Sequence, residues 1–151
     1  MKNFLKNRDF ILFSIIIFGV IIVGFANPYF VKPSSLSDVL TDTSILIILA
    51  LSQMIVILIR AIDLSVASNL ALSGMLISLL STVYPELPVV FFILLSCIIG
   101  TFLGVLNGVS IAILKVPFIV TTLGTLSIYR GLIYFVSDGK QVYSHEFSEN
   151  F

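Results

Sequence analysis

The sequence predicts an all-α protein, a polytopic membrane helix bundle of about five transmembrane helices. Three observations predict it. Of 151 residues, 58% are hydrophobic and only 11% charged, against roughly 25% charged in a soluble domain. The eight basic and eight acidic side chains leave long runs with no charge at all, at 10–31, 43–59, 64–85 and 87–114. A bilayer core of roughly 30 Å needs about 20 helical residues, within a range of about 17–25. The runs are also continuous, as in IleIleIlePheGlyValIleIleVal at 15–23. A transmembrane strand would alternate polar and apolar residues. A continuous run in lipid must satisfy its own backbone hydrogen bonds and is therefore helical.

The expected spans, in order, are about 10–26, 43–59, 64–84, 89–113 and 117–136, within a single transmembrane domain over 1–151. The first follows Lys2, Lys6 and Arg8, so its start is expected in the cytoplasm. That basic start and the small-x-small triplet Gly24-Phe25-Ala26 also fit a signal peptide, but the apolar run is longer than the usual 7–15 residues. An uncleaved span is expected. A polar stretch, 27–42, contains AsnPro and ProSerSer and a short amphipathic piece. The second and third spans are separated only by Arg60 to Asp63. The fourth is the longest run. The fifth joins the uncharged runs 116–129 and 131–137 across Arg130.

Threading these spans leaves Lys2, Lys6, Arg8, Arg60 and Lys115 inside. Asp38, Asp42, Glu86, Asp138, Glu146 and Glu149 fall outside. All five tyrosines, Tyr29, Tyr84, Tyr129, Tyr134 and Tyr143, then lie near or beyond the outer interface. The expected topology is N-terminus cytoplasmic and C-terminus outside.

Composition also removes function classes. Zero net charge without a basic patch gives nucleic acid no electrostatic handle. One cysteine, Cys97, forms no internal disulfide, and one histidine, His145, makes a histidine metal cluster or catalytic triad improbable. No cofactor or metal ligand set is expected. An intramembrane enzyme finds no nucleophile–base pair or paired acids.

The sharpest local feature is Arg60-Ala61-Ile62-Asp63-Leu64-Ser65-Val66-Ala67-Ser68, a very short helix–helix connection. Two readings use the same chemistry. In one it is a helix break near or within the membrane, with Asp63, Ser65 and Asn69 lining a path. In the other it is a tight cytoplasmic turn with Asp63 as N-cap. Gly100, Gly104 and Gly108 recur at i,i+4 and predict close helix packing. Asn107 sits beside that stripe and needs partners if buried. In the fifth span, Thr121 and Thr125 share a face, whereas Thr122 aligns with Leu126. Arg130 is expected to snorkel beside Tyr129 and Tyr134, and Cys97 to be a packing residue.

Four stretches resemble a known family. They are AsnProTyrPheValLysProSerSerLeu at 27–36, GlnMetIleValIleLeuIleArgAlaIleAspLeuSerValAlaSer at 53–68, GlyValLeuAsnGly at 104–108, and ValProPheIleValThrThrLeuGlyThrLeuSerIleTyrArgGly at 116–131. They are similar to permease subunits of bacterial ATP-binding-cassette importers for simple sugars, of the ribose, xylose and autoinducer-2 type. The likeness runs from about residue 5 to the end. Many members carry glycine where this chain has Arg60, Ala61 and Ala67. Members are also roughly double this length, with the ATPase-docking segment in the second half, so the chain resembles an N-terminal half.

The resemblance implies a transport subunit of the bacterial cytoplasmic membrane that does no covalent chemistry. Its implied partners are membrane lipid, a second permease subunit, a separate ATP-binding-cassette ATPase, and a periplasmic or lipid-anchored sugar-binding protein. The candidate substrate path is Asp63, Ser65, Asn69 and Asn107. The alternative is a small five-span membrane protein with a structural or regulatory role.

Overall fold

A computed structural model describes residues 8–142. Among the described residues the structure is five α-helices and one 3-10 turn, with no strand. The helices are α1 (Arg8–Ala26), α2 (Pro33–Leu58), α3 (Val66–Val83), α4 (Val89–Ala112) and α5 (Phe118–Ser137), and the 3-10 turn is Pro28–Val31. Four helices, α2 to α5, are long and apolar enough to cross a membrane, and Phe10–Ala26 is a shorter apolar helix. Lys2, Lys6, Tyr143, His145, Glu146 and Glu149 lie outside the described residues.

The chain divides into two compact units, residues 1–50 and 51–151. In the first, α1 leads into the 3-10 turn. Asn27 is the N-cap of that turn, its side chain accepting from the Tyr29 amide at 3.1 Å. A Cβ on Gly24 would come within 3.1 Å of Val31 Cγ1, a tight contact where the turn folds back on α1. Lys32 Nζ sits 3.7 Å from the centre of the Tyr29 ring, a cation–π contact. α2 then starts at Pro33, which needs no amide partner in a first turn. The polar residues 33–42 therefore join the same helix as the apolar run that follows them, rather than forming a separate piece.

In the second unit, short connections make α4 antiparallel to both α3 and α5, so that α3 and α5 run the same way. α3 packs against both α4 and α5. The core is built from three i,i+4 pairs, one per helix: Leu72 with Leu76, Ile99 with Leu103, and Tyr129 with Ile133. Tyr129 differs from its expected interfacial place. It is 2% exposed and donates its phenol hydroxyl to the Leu103 carbonyl at 2.8 Å. That bond lets the ring bury its polar end along with its apolar body.

The interior of this unit is more polar than a soluble core. Among the described residues eight buried ones are Ser, Thr or Asn, against six buried hydrophobic ones, while large apolar side chains cover the outside. Lipid as solvent explains the inversion, because small polar residues pack and bond helices together. Hydroxyls left on the outside are closed internally. Ser96 donates to Ile93 O, Ser110 to Leu106 O and Ser127 to Leu123 O, all at 2.8–3.1 Å. Cys97 faces outward on α4 and is exposed, so it is not an internal packing residue. Arg130 is also exposed.

Candidate functional site: the re-entrant connection between α2 and α3

α2 ends in a Schellman arrangement. The Arg60 amide donates to Ile57 O at 2.8 Å and the Ala61 amide to Val56 O at 3.1 Å. Arg60 carries the left-handed conformation this end requires, with φ of 58°. Lys115, after α4, has the same φ. For a residue with a Cβ this conformation costs about 1–2 kcal/mol, so surrounding contacts must hold it.

Beyond Arg60 the chain is irregular up to Ser65, and side chains from other helices satisfy its backbone. Gln53 Nε2 donates to Asp63 O at 3.1 Å. Thr122 Oγ1 donates to Ile62 O at 3.4 Å. Asp63 Oδ1 accepts from the Ser65 amide at 2.7 Å and from Ser65 Oγ at 2.6 Å. Asn107 Nδ2 donates to Ser65 Oγ at 2.7 Å. The single Ser65 hydroxyl proton goes to Asp63, so Ser65 can only accept from Asn107. The chain Asn107 to Ser65 to Asp63 thus points one way.

These partners fix how far the connection enters the bundle. Asn107 lies five residues before the end of α4, and Thr122 four residues after the start of α5. At helical rise, Ser65 and Ile62 therefore sit about 6–8 Å inside those helix ends. Irregular backbone at such a place is tolerated where protein or a cavity surrounds it. Both conditions hold. A cavity of about 520 Å³ opens beside the connection, lined among others by Ala61, Asp63, Gly104, Asn107, Lys115 and Thr122.

The Asp63 carboxylate does organise the start of α3, but from two residues upstream of the cap position. Ser65 holds that position without a capping bond of its own from its side chain. At the same time part of the connection is buried: Ala61 is 5% and Ser65 1% exposed, while Ile62 and Leu64 between and beside them are exposed.

Among the candidate path residues, Asp63 and Asn107 line the cavity, and Ser65 lies between them behind its wall. Asn69 points elsewhere. Its Nδ2 donates to Gly100 O at 3.3 Å and its Oδ1 accepts from Ser73 Oγ at 3.3 Å. It is a bridge from α3 to α4, one turn away. The glycines also divide. A Cβ on Gly100 would meet Ser73 Oγ at 3.7 Å and Asn69 Oδ1 at 3.8 Å, whereas at Gly104 and Gly108 it would meet nothing within 4 Å. Gly104 and Gly108 line the cavity instead.

Gln53 and Thr122 were not among the sequence candidates, yet both hold the connection. Gln53 is the one amide in an apolar run, which was the available signal. Thr122 carries no such signal, because helical phase puts Thr121 and Thr125 in one polar row and leaves Thr122 beside Leu126. In the structure Thr125 bonds its own helix, at Thr121 O and Thr122 O. Buried Thr121 Oγ1 and Asn107 Oδ1 have no hydrogen-bond partner among the described residues.

Fold and site together define a polytopic membrane protein with an apolar exterior, a polar interior and a re-entrant connection beside a cavity. A family profile, branched-chain amino acid transport system / permease component, matches residues 35–150. The chain belongs to that family of transport components. It is 36% identical to the autoinducer 2 import system permease protein LsrC of Enterobacter sp. strain 638, over 94% of this chain and 41% of that protein. It is 38% identical to the ribose import permease protein RbsC of Haemophilus influenzae, over 97% of this chain and 43% of that protein. The chain thus spans about two fifths of the length of these curated relatives. No solved structure matches it.

Proposed function

We propose that this chain forms part of the transmembrane path of an ATP-driven importer for a simple sugar or sugar-like solute, in the bacterial cytoplasmic membrane. It corresponds to the N-terminal half of such a permease, with the α2 and α4 C-terminal ends facing the cytoplasm. ATP is hydrolysed on a separate subunit, and a periplasmic or lipid-anchored binding protein delivers the solute to a pair of permease subunits. The supporting observation is the re-entrant connection, which sets Asp63 and Asn107 on the wall of a cavity inside the bundle.

Such a path needs no covalent chemistry. It needs polar groups that replace part of the solute's water, since an unpaired buried hydroxyl costs a few kcal/mol. The Asp63 carboxylate and the Asn107 amide can do this because their positions are fixed by Ser65 and by α4. Ser65 and Asn69 act as positioning residues.

The test is uptake of radiolabelled ribose by cells or proteoliposomes holding this chain with the neighbouring ATPase, binding-protein and permease genes. ATP-dependent uptake that is lost when this chain is omitted is the expected result. Unchanged uptake on omission would defeat the proposal and favour a structural or regulatory role.

A further inference from the structure

The end of the second unit that carries Arg60 and Lys115 has charges to which the transport reading assigns no role. Both side chains are exposed. Among the described residues the ion pair found is Lys140 with Asp138 at 4.0 Å, so neither Arg60 nor Lys115 has a carboxylate within that distance. Asp63, the nearest acid in sequence to Arg60, spends its Oδ1 on Ser65. Each cation lies just beyond a helix end, past Leu58 or Ala112, with φ of 58°.

The two cations border adjoining hollows that share Ile62 and Phe118. Lys115 is on the wall of the larger cavity. Arg60 lines a separate groove of about 220 Å³, whose other walls are Ile62, Pro117, Phe118 and Ile119. That groove is apolar apart from the guanidinium at its edge. The first turn of α5 beside it contains no acid to offset the charge.

A general tendency already accounts for part of this. Basic residues suit helix C-termini and cytoplasmic loops. It does not account for two cations, neither with a described carboxylate within 4.0 Å, on the walls of adjoining hollows that share Ile62 and Phe118. An occupant complementary to both features has a negative head and a hydrocarbon tail.

We propose that Arg60 and Lys115 bind the phosphate of an anionic glycerophospholipid, with one acyl chain lying along Ile62, Pro117, Phe118 and Ile119. Basic pockets between membrane helices favour such headgroups, by about fivefold for each Lys or Arg near the surface. The lipid would cover the outer side of Phe118, between the connection and the start of α5.

The left-handed backbone gives a clean test. Glycine adopts φ of 58° without strain, so Arg60→Gly and Lys115→Gly remove charge without disturbing the local fold. The purified full chain is placed in nanodiscs of equal palmitoyl-oleoyl phosphatidylglycerol and phosphatidylcholine, and retained lipid is read by native mass spectrometry. Phosphatidylglycerol is expected to be retained at least fivefold over phosphatidylcholine. The double glycine variant is expected to fall below twofold, and Arg60→Lys with Lys115→Arg to keep the preference. Lys140→Gly, at the other end of α5, is expected to change nothing.

Three results overturn the proposal. One is no preference in the unaltered chain. Another is an equal loss on Lys140→Gly, which would make the effect one of total charge. The third is displacement of the lipid by millimolar inorganic phosphate, which would leave an anion site with no role for the groove. None of these bears on ribose uptake, so the transport reading stands or falls separately.

Discussion

At the scale of single residues, Asp63 and Arg60 contribute in opposite directions. Asp63 Oδ1 takes two short bonds from Ser65, and bonds to a charged acceptor are worth about 1.5–3 kcal/mol. Asp63→Ala leaves the Ser65 amide and hydroxyl unpaired in a buried place. It is expected to lower stability by about 2–3 kcal/mol, whereas Asp63→Asn, which keeps an acceptor, loses less. Unfolding by denaturing detergent from lipid-like micelles measures both, and equal losses would show that the carboxylate oxygen does not organise the turn. Arg60→Gly relieves the left-handed backbone and is expected to raise stability by about 1 kcal/mol. A drop in the same measurement would mean that the guanidinium makes a contact worth more than the strain.

Helices and their connections show what the sequence could reveal. The helices α3 and α4 lie inside the uncharged runs 64–85 and 87–114, and the runs 43–59, 116–129 and 131–137 fall largely on α2 and α5, because lipid leaves a continuous apolar run no other backbone choice. Start points were less legible. α2 begins at Pro33 since a polar turn can extend a helix without changing its apolar face. The site was legible where two polar residues fell within a short break, as with Asp63 and Ser65. It was not legible where a partner came from a distant helix. Nothing in the spacing of Thr122 announces Ile62 O, because helical phase says which residues share a face and not which neighbour the face meets. The burial of Tyr129 is illegible for a related reason: aromatic hydroxyls favour interfaces unless a carbonyl such as Leu103 O is offered inside. Tyr129→Phe removes that bond. It is expected to cost about 0.6–1.7 kcal/mol, read by the same unfolding assay, and no change would imply that the hydroxyl contributes nothing to α4–α5 association. Among the glycines, Gly100→Leu forces a side chain against Ser73 and Asn69 and is expected to destabilise the chain more than Gly104→Leu, which has open space.

At the scale of the whole molecule, membership in a permease family and four helices able to cross a membrane make this an integral membrane protein. The charge pattern predicts which ends share a side. With Cys97 replaced by serine, single cysteines at Lys115 and at Arg60 are expected to react with a membrane-impermeant maleimide only in inside-out vesicles. Cysteines at Glu86 and Asp138 are expected to react in right-side-out cells. Labelling of 60 and 86 from the same side would overturn the antiparallel threading of α3.

The inverted interior of the second unit has a thermal consequence. A soluble protein gains heat capacity on unfolding, about 12–15 cal/mol/K per residue, because apolar groups become hydrated. Separating α3, α4 and α5 within lipid hydrates almost none, since the apolar side chains already face hydrocarbon and the buried groups include so many hydroxyls and amides. That increment then has little source. Plotted against temperature, the free energy of helix separation should fall as a nearly straight line, with no maximum near room temperature and no loss of structure on cooling.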